Sequence, residues 1–125
     1  MRVLLTEDQT KKMCAALKRL LAQESELNVV GEAAEATDLL IQVQKTRPDL
    51  VLLDWELPGL ESIDLLSALH DLDSPPKVVA FSESRDMCHA ALAAGVDAFV
   101  CREEPQEQML TTLRSVGGLS PLLPG

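Results

Sequence analysis

Four stretches of the chain end in groups that could do chemistry together. Arg2-Val3-Leu4-Leu5-Thr6 runs into the acidic pair Glu7-Asp8, and Val51-Leu52-Leu53 runs into Asp54. Lys77-Val78-Val79-Ala80-Phe81 ends in the hydroxyl of Ser82, and Asp97-Ala98-Phe99-Val100-Cys101 ends in the cation Arg102. Each run reads as a buried strand, and the crevice beyond the carboxyl ends of the strands is where ligands collect in an open α/β sheet. Two carboxylates ~5 Å apart repel by about 3 kcal/mol at an effective dielectric near 20, so three together call for a cation. Hard oxygen ligands suit Mg²⁺, which keeps several waters and takes phosphoryl oxygens. The expected occupant of this edge is therefore a hard divalent cation.

The elements that must position these groups alternate along the chain. Val51 to Leu53, unbroken between Pro48 and the Leu57-Pro58-Gly59 turn, has the pattern of a strand covered on both faces. In Gln9 to Glu24, Met13, Ala16, Leu17, Leu20 and Leu21 recur at helical spacing. Leu27 to Ala33 carries an internal glycine and mixed polarity, as an outer strand does. Helices are expected over Thr37 to Thr46, stopped before Pro48, over Ser62 to Leu69, and over Ser84 to Ala94 with Gly95 as the C-cap. The last helix starts near Pro105, presents Leu110, Leu113 and Val116 inward, and ends at Gly117-Gly118. Five strands alternating with five helices predict a single α/β domain over residues 1–116 with a parallel sheet and right-handed crossovers, followed by a linker or flexible tail over 117–125. Strand order does not follow from periodicity, but a central first strand beside the third would bring Glu7, Asp8 and Asp54 to one edge.

Composition narrows the partners. One hundred and twenty-five residues suit one core, and a net charge of −9 from 20 acidic against 11 basic residues argues against direct nucleic-acid binding, which needs clustered Lys and Arg. Cys14, Cys88 and Cys101 are widely spaced and read as small core residues in a reducing compartment. No leader pattern opens the sequence and no apolar run approaches the roughly 20 residues of a membrane span, so a cytoplasmic location without membrane contact is expected.

Taken together, the acidic pair after strand one, the Asp-x-x-Leu-Pro-Gly pattern around Asp54, the serine ending strand four and Ala94-Gly95-Val96-Asp97-Ala98-Phe99 leading strand five closely resemble the CheY-like receiver domain of two-component response regulators. The resemblance covers the chain to about Val116. It implies a flavodoxin-like, doubly wound sheet of order 2-1-3-4-5. Asp54 matches the acceptor of a phosphoryl group from a histidine kinase or phosphotransfer protein. Asp8 and its partner Glu7 match the metal-binding acids, which hold Mg²⁺ with Asp54 and the backbone carbonyl of Glu56. Ser82 matches the switch hydroxyl, Phe99 the switch aromatic, and Arg102 the lysine that neutralises the phosphoryl group. The signal would leave through the surface of the fourth helix, fifth strand and fifth helix, toward an output domain or effector that in many relatives acts on transcription; that face is also where such a domain pairs with a second copy. The implied chemistry is self-phosphorylation and self-dephosphorylation, not enzymatic turnover of another substrate.

The match has departures. Arginine is longer and forked where lysine is usual, which alters the grip on a phosphoryl group. Glu83 puts a carboxylate beside Ser82, Glu56 stands where the family tunes acyl-phosphate lifetime, and Ser62 replaces a common glycine. These motivate a competing reading, a pseudo-receiver that binds proteins without phosphorylation. A phosphohydrolase with an aspartyl-phosphate intermediate ranks last, because Glu56 only loosely fills the place of its second acid and no cap segment is present. Singly, Asp8 also suits a helix N-cap, Ser82 a capping hydroxyl, Phe99 the core, and Trp55 packing over the turn. His70 and His89 read as surface residues.

Overall fold

A computed structural model of the chain describes residues 1–6, 19, 21–24, 26–55, 65–82, 85–101 and 106–118. Its strands are β1 (Arg2–Thr6), β2 (Asn28–Ala33), β3 (Leu50–Asp54), β4 (Lys77–Ser82) and β5 (Ala98–Cys101). Among the described residues the α-helices are α1 (Ala36–Thr46), α2 (Leu65–His70), α3 (Cys88–Ala94) and α4 (Gln106–Val116), with a 3₁₀ turn at Arg85–Met87. The helix expected over Gln9 to Glu24 lies largely outside them, although Arg19, Leu21 and Ala22 are helical.

All four strand pairs are parallel, in the order β2-β1-β3-β4-β5. The apolar run of β3 shows why this sheet needs cover on both sides. Side chains alternate faces along a strand. Val51 and Leu53 join Leu4, Val78 and Ala80 in a core with Leu39 and Val43 of α1, Leu65, Leu66 and Leu69 of α2, and Ala91 of α3. Leu50 and Leu52 join Val3, Leu5, Val79 and Phe81 in a second core with Met109, Leu110 and Leu113 of α4, and with Leu21 and Leu27. A continuous apolar strand is thus split by parity between two helical layers, which is the doubly wound arrangement.

Two aspartates fix the leading ends of alternate strands by the same device. The Asp49 N–H donates to the Arg2 carbonyl (2.8 Å), while its Oδ2 accepts the Arg2 N–H (2.8 Å). The Asp97 N–H donates to the Val78 carbonyl (2.8 Å), and its Oδ2 accepts the Val78 N–H (2.8 Å). Each residue makes two bonds to the neighbouring strand just before its own begins, so β3 is registered on β1 and β5 on β4 from the amino-terminal edge upward.

The stops follow local chemistry. Gly95 caps α3 at φ 109°, donating its N–H toward Leu92, as its place in the sequence predicts. Arg47 caps α1 in the left-handed region at φ 47°, ahead of Pro48, which disfavours continuation of the helix. The Arg2 guanidinium covers the exposed end of α1 by donating from Nε to the Thr46 carbonyl (3.1 Å). Of the segment expected as one helix from Ser84, which itself lies outside the described residues, Arg85–Met87 form the 3₁₀ turn rather than α-helix, and no side chain caps α3 at Met87.

Candidate functional site

Among the described residues four polar or charged side chains are buried: Thr6 (2% exposed), Asp54 (0%), Ser82 (0%) and Arg114 (4%). Three of them are the last residues of their strands, β1, β3 and β4. Buried polar groups are tolerated only with partners, so their gathering at one sheet edge needs a reason that packing does not supply. The register sets their relative places. Leu5 lies opposite Leu52, Asp54 opposite Phe81, and Ser82 opposite Cys101.

Asp54 is held by its backbone on both sides. Its own N–H donates to the Thr6 hydroxyl (2.7 Å), which in turn donates to the Leu52 carbonyl (2.9 Å). The next residue, Trp55, donates its N–H to the Phe81 carbonyl (2.9 Å) and packs half-buried on the α1–α2 core. The carboxylate therefore sits on a backbone fixed by β1 on one flank and β4 on the other. Phe99, expected as a switch aromatic, lies half-buried on β5 against the same core as Trp55. Glu7, Asp8, Glu56 and Arg102, together with Ser62 and Glu83, lie outside the described residues. His70 and His89 are exposed and Cys101 is buried, as expected from sequence; Cys88, expected in the core, is only half-buried, and Cys14 lies outside the described residues.

Thr6 is the residue that sequence reasoning missed. A β-branched side chain in a strand looks like ordinary packing, and the only cue was its position directly before the acidic pair. Arg114 was missed as well. Its guanidinium, on α4, pairs with Glu26 Oε1 at 2.8 Å and Glu24 Oε2 at 3.6 Å, tying that helix to the segment leading into β2. A groove of about 560 Å³ lies at the opposite, amino-terminal edge of the sheet, lined in part by Val43, Arg47, Asp49, Leu72 and Lys77. It contains none of the buried polar residues at the carboxyl edge.

A family model for the response regulator receiver domain matches residues 3–114. The chain belongs to that family. This receiver domain is 26% identical over 121 residues to protein-glutamate methylesterase/protein-glutamine glutaminase 1 of Methanospirillum hungatei, covering 94% of the chain and 34% of that protein. It is 27% identical over 114 residues to the transcriptional regulatory protein DesR of Bacillus subtilis, covering 91% of the chain and 57% of that protein. The chain thus spans between about a third and three-fifths of the length of these relatives. In fold it superposes with a TM-score of 0.81 on the signal receiver domain of the response regulator NarL from Mycobacterium tuberculosis, at 23% identity, over 94% of this chain and 95% of that one. Among the described residues no helix of the receiver domain is long and apolar enough to cross a membrane.

The donor set is compatible with a hard divalent cation. Asp54 contributes a buried carboxylate, and the acids Glu7 and Asp8 follow directly in sequence from Thr6, whose hydroxyl holds Asp54. No group of three His, Cys, Asp or Glu side chains converges among the described residues.

Proposed function

We propose that Asp54 is a phosphoacceptor, taking a phosphoryl group from a histidine kinase or phosphotransfer protein, and that the state of this site controls an output domain or effector. The observation that carries the reading is the fully buried Asp54 carboxylate at the end of the central strand, with two further buried hydroxyl residues ending the adjacent strands. In the transfer, an Asp54 oxygen bonds to phosphorus as the nitrogen–phosphorus bond of the donor histidine breaks, and the imidazole keeps that electron pair and takes a proton. Aspartate is a weak nucleophile toward phosphorus, so its fixed orientation matters. Mg²⁺, held by Asp54, Glu7, Asp8 and the Glu56 carbonyl, would offset the negative charge that accumulates in transfer. Arg102 would supply a second positive charge, and Ser82 a hydroxyl donor to a phosphoryl oxygen.

Phosphorylation adds about −1.5 to −2 charge and strong acceptor oxygens at this edge. Ser82 closes β4, which pairs with β5, so a response at Ser82 passes to Phe99 and the α3–β5–α4 surface. Leu92 on α3 and Met87 before it are exposed apolar residues on that side, suited to a partner or a second copy. The relatives carry different outputs, one a transcriptional regulator and the other a methylesterase, which supports a signalling module whose own chemistry is limited to gaining and losing the phosphoryl group. The net charge of −9 and the buried thiol Cys101 suit a protein partner and a reducing, cytoplasmic setting.

The test uses Trp55, the single tryptophan, which adjoins Asp54. Mg²⁺ followed by beryllofluoride should change its fluorescence saturably in the wild type and not in Asp54→Asn. An unresponsive wild type would instead support the pseudo-receiver, a protein-binding module independent of phosphorylation.

A further inference from the structure

Thr6 does more than fill space at the end of β1. A threonine hydroxyl offers one donor and two acceptor sites, and here the donor goes to the Leu52 carbonyl at 2.9 Å while one acceptor site receives the Asp54 N–H at 2.7 Å. Both bonds are buried. The paired register of β1 and β3 stops at Leu5 and Leu52, so these bonds carry the connection between the two strands beyond their ladder to Asp54 itself. A valine of the same shape would fill the space without making either bond.

The position gives the device its meaning. On one side the hydroxyl grips the backbone of the residue whose carboxylate is the proposed phosphoacceptor. On the other, the chain continues from Thr6 straight into Glu7 and Asp8. The route from the acceptor to the acidic pair is therefore one hydrogen bond and one peptide link. We propose that Thr6 is a positioning residue, whose hydroxyl sets the separation of the β1 and β3 ends and so the spacing of Asp54 from the acids that follow it. This rests on the phosphoacceptor reading above, and deepens it by naming what holds the acceptor in register with its cation ligands.

The comparison is among Thr6→Val, Thr6→Ser and wild type as full chains, with Val43→Ala, a buried α1 substitution away from this edge, as a control of reduced stability. Mg²⁺ affinity is read from Trp55 fluorescence, and phosphoryl uptake from acetyl phosphate by intact mass. Thr6→Val should slow uptake at saturating Mg²⁺ by about tenfold or more, the scale on which a slight misplacement of reacting groups acts, and should weaken Mg²⁺ binding several-fold. Thr6→Ser, which keeps the hydroxyl, should restore both to near wild type, and Val43→Ala should leave both unchanged. A Thr6→Val protein with wild-type uptake and Mg²⁺ affinity, or one affected no more than Val43→Ala, overturns the proposal. Hydrogen exchange at the Asp54 amide separates the two layers of inference. Loss of protection in Thr6→Val, retained in Thr6→Ser, establishes the clamp; with no phosphoryl uptake by wild type, that same result would place the failure in the phosphoacceptor reading. Unchanged protection in Thr6→Val removes the clamp itself.

Discussion

Replacing Asp54 by asparagine should make the metal-free protein more stable, an unusual outcome for a fully buried polar residue. The substitution keeps the shape and the backbone bond to Thr6, and removes one negative charge. A carboxylate with no solvent exposure has lost its hydration, and each like charge ~5 Å away adds about 3 kcal/mol at an effective dielectric near 20. Polar contacts around the carboxylate offset part of this, leaving a net gain of about 1 to 3 kcal/mol for the neutral isostere. For a chain of this length that is a rise in Tm of roughly 5 to 10 °C. The assay is thermal unfolding in chelator, repeated with Mg²⁺. Cation binding stabilises the wild type by about 2.7 kcal/mol at a hundredfold excess over Kd, so Mg²⁺ should close or reverse the gap. Equal or lower melting of Asp54→Asn in chelator, or an equal Mg²⁺ increment in both proteins, would refute the idea that like charges are clustered at this edge.

Other expectations bear on the scaffold that delivers the site. Leu52→Ala empties a fully buried position on the central strand, next to the carbonyl that Thr6 holds, and should cost about 2 to 5 kcal/mol by urea unfolding. Gly95→Ala should cost about 1 to 2 kcal/mol, because its φ of 109° disfavours a side chain and the added Cβ would lie 3.2 Å from His70 Cε1. Asp97→Ala should cost about 1 kcal/mol through the lost bond to the Val78 N–H, whereas Asp97→Asn, which retains an acceptor oxygen, should cost less. A shift in unfolding midpoint below about 0.3 kcal/mol for Asp97→Ala would show that the bond is replaced by water.

Much of this architecture was legible because two periodicities are printed in the chain. The run from Val51 to Leu53 announced a strand covered on both faces, and the structure divides it by parity between two cores. Asp54 and Ser82 were legible for the same reason, each a polar residue closing an apolar run, and both are buried strand ends. Strand order was not in the pattern, since nothing local tells a strand which neighbour it will take; it came with the family resemblance, and the sheet has that order. Arg114 was illegible because a cation in a helix normally faces solvent, and the carboxylates it pairs with, Glu24 and Glu26, lie some ninety residues earlier in the chain. Thr6 was illegible because its hydroxyl matters only through Asp54 and Leu52, brought beside it by the β1–β3 pairing. The 3₁₀ turn before α3 was illegible because an apolar 3.6-residue pattern does not distinguish a tighter turn from the α-helix that follows it.

The most direct measurement of Asp54 as phosphoacceptor is the intact mass of the protein after incubation with acetyl phosphate and Mg²⁺. The wild type should gain a single phosphoryl group, and the gain should vanish in chelator and in Asp54→Asn. No gain in the wild type, or the same gain in Asp54→Asn, would contradict it.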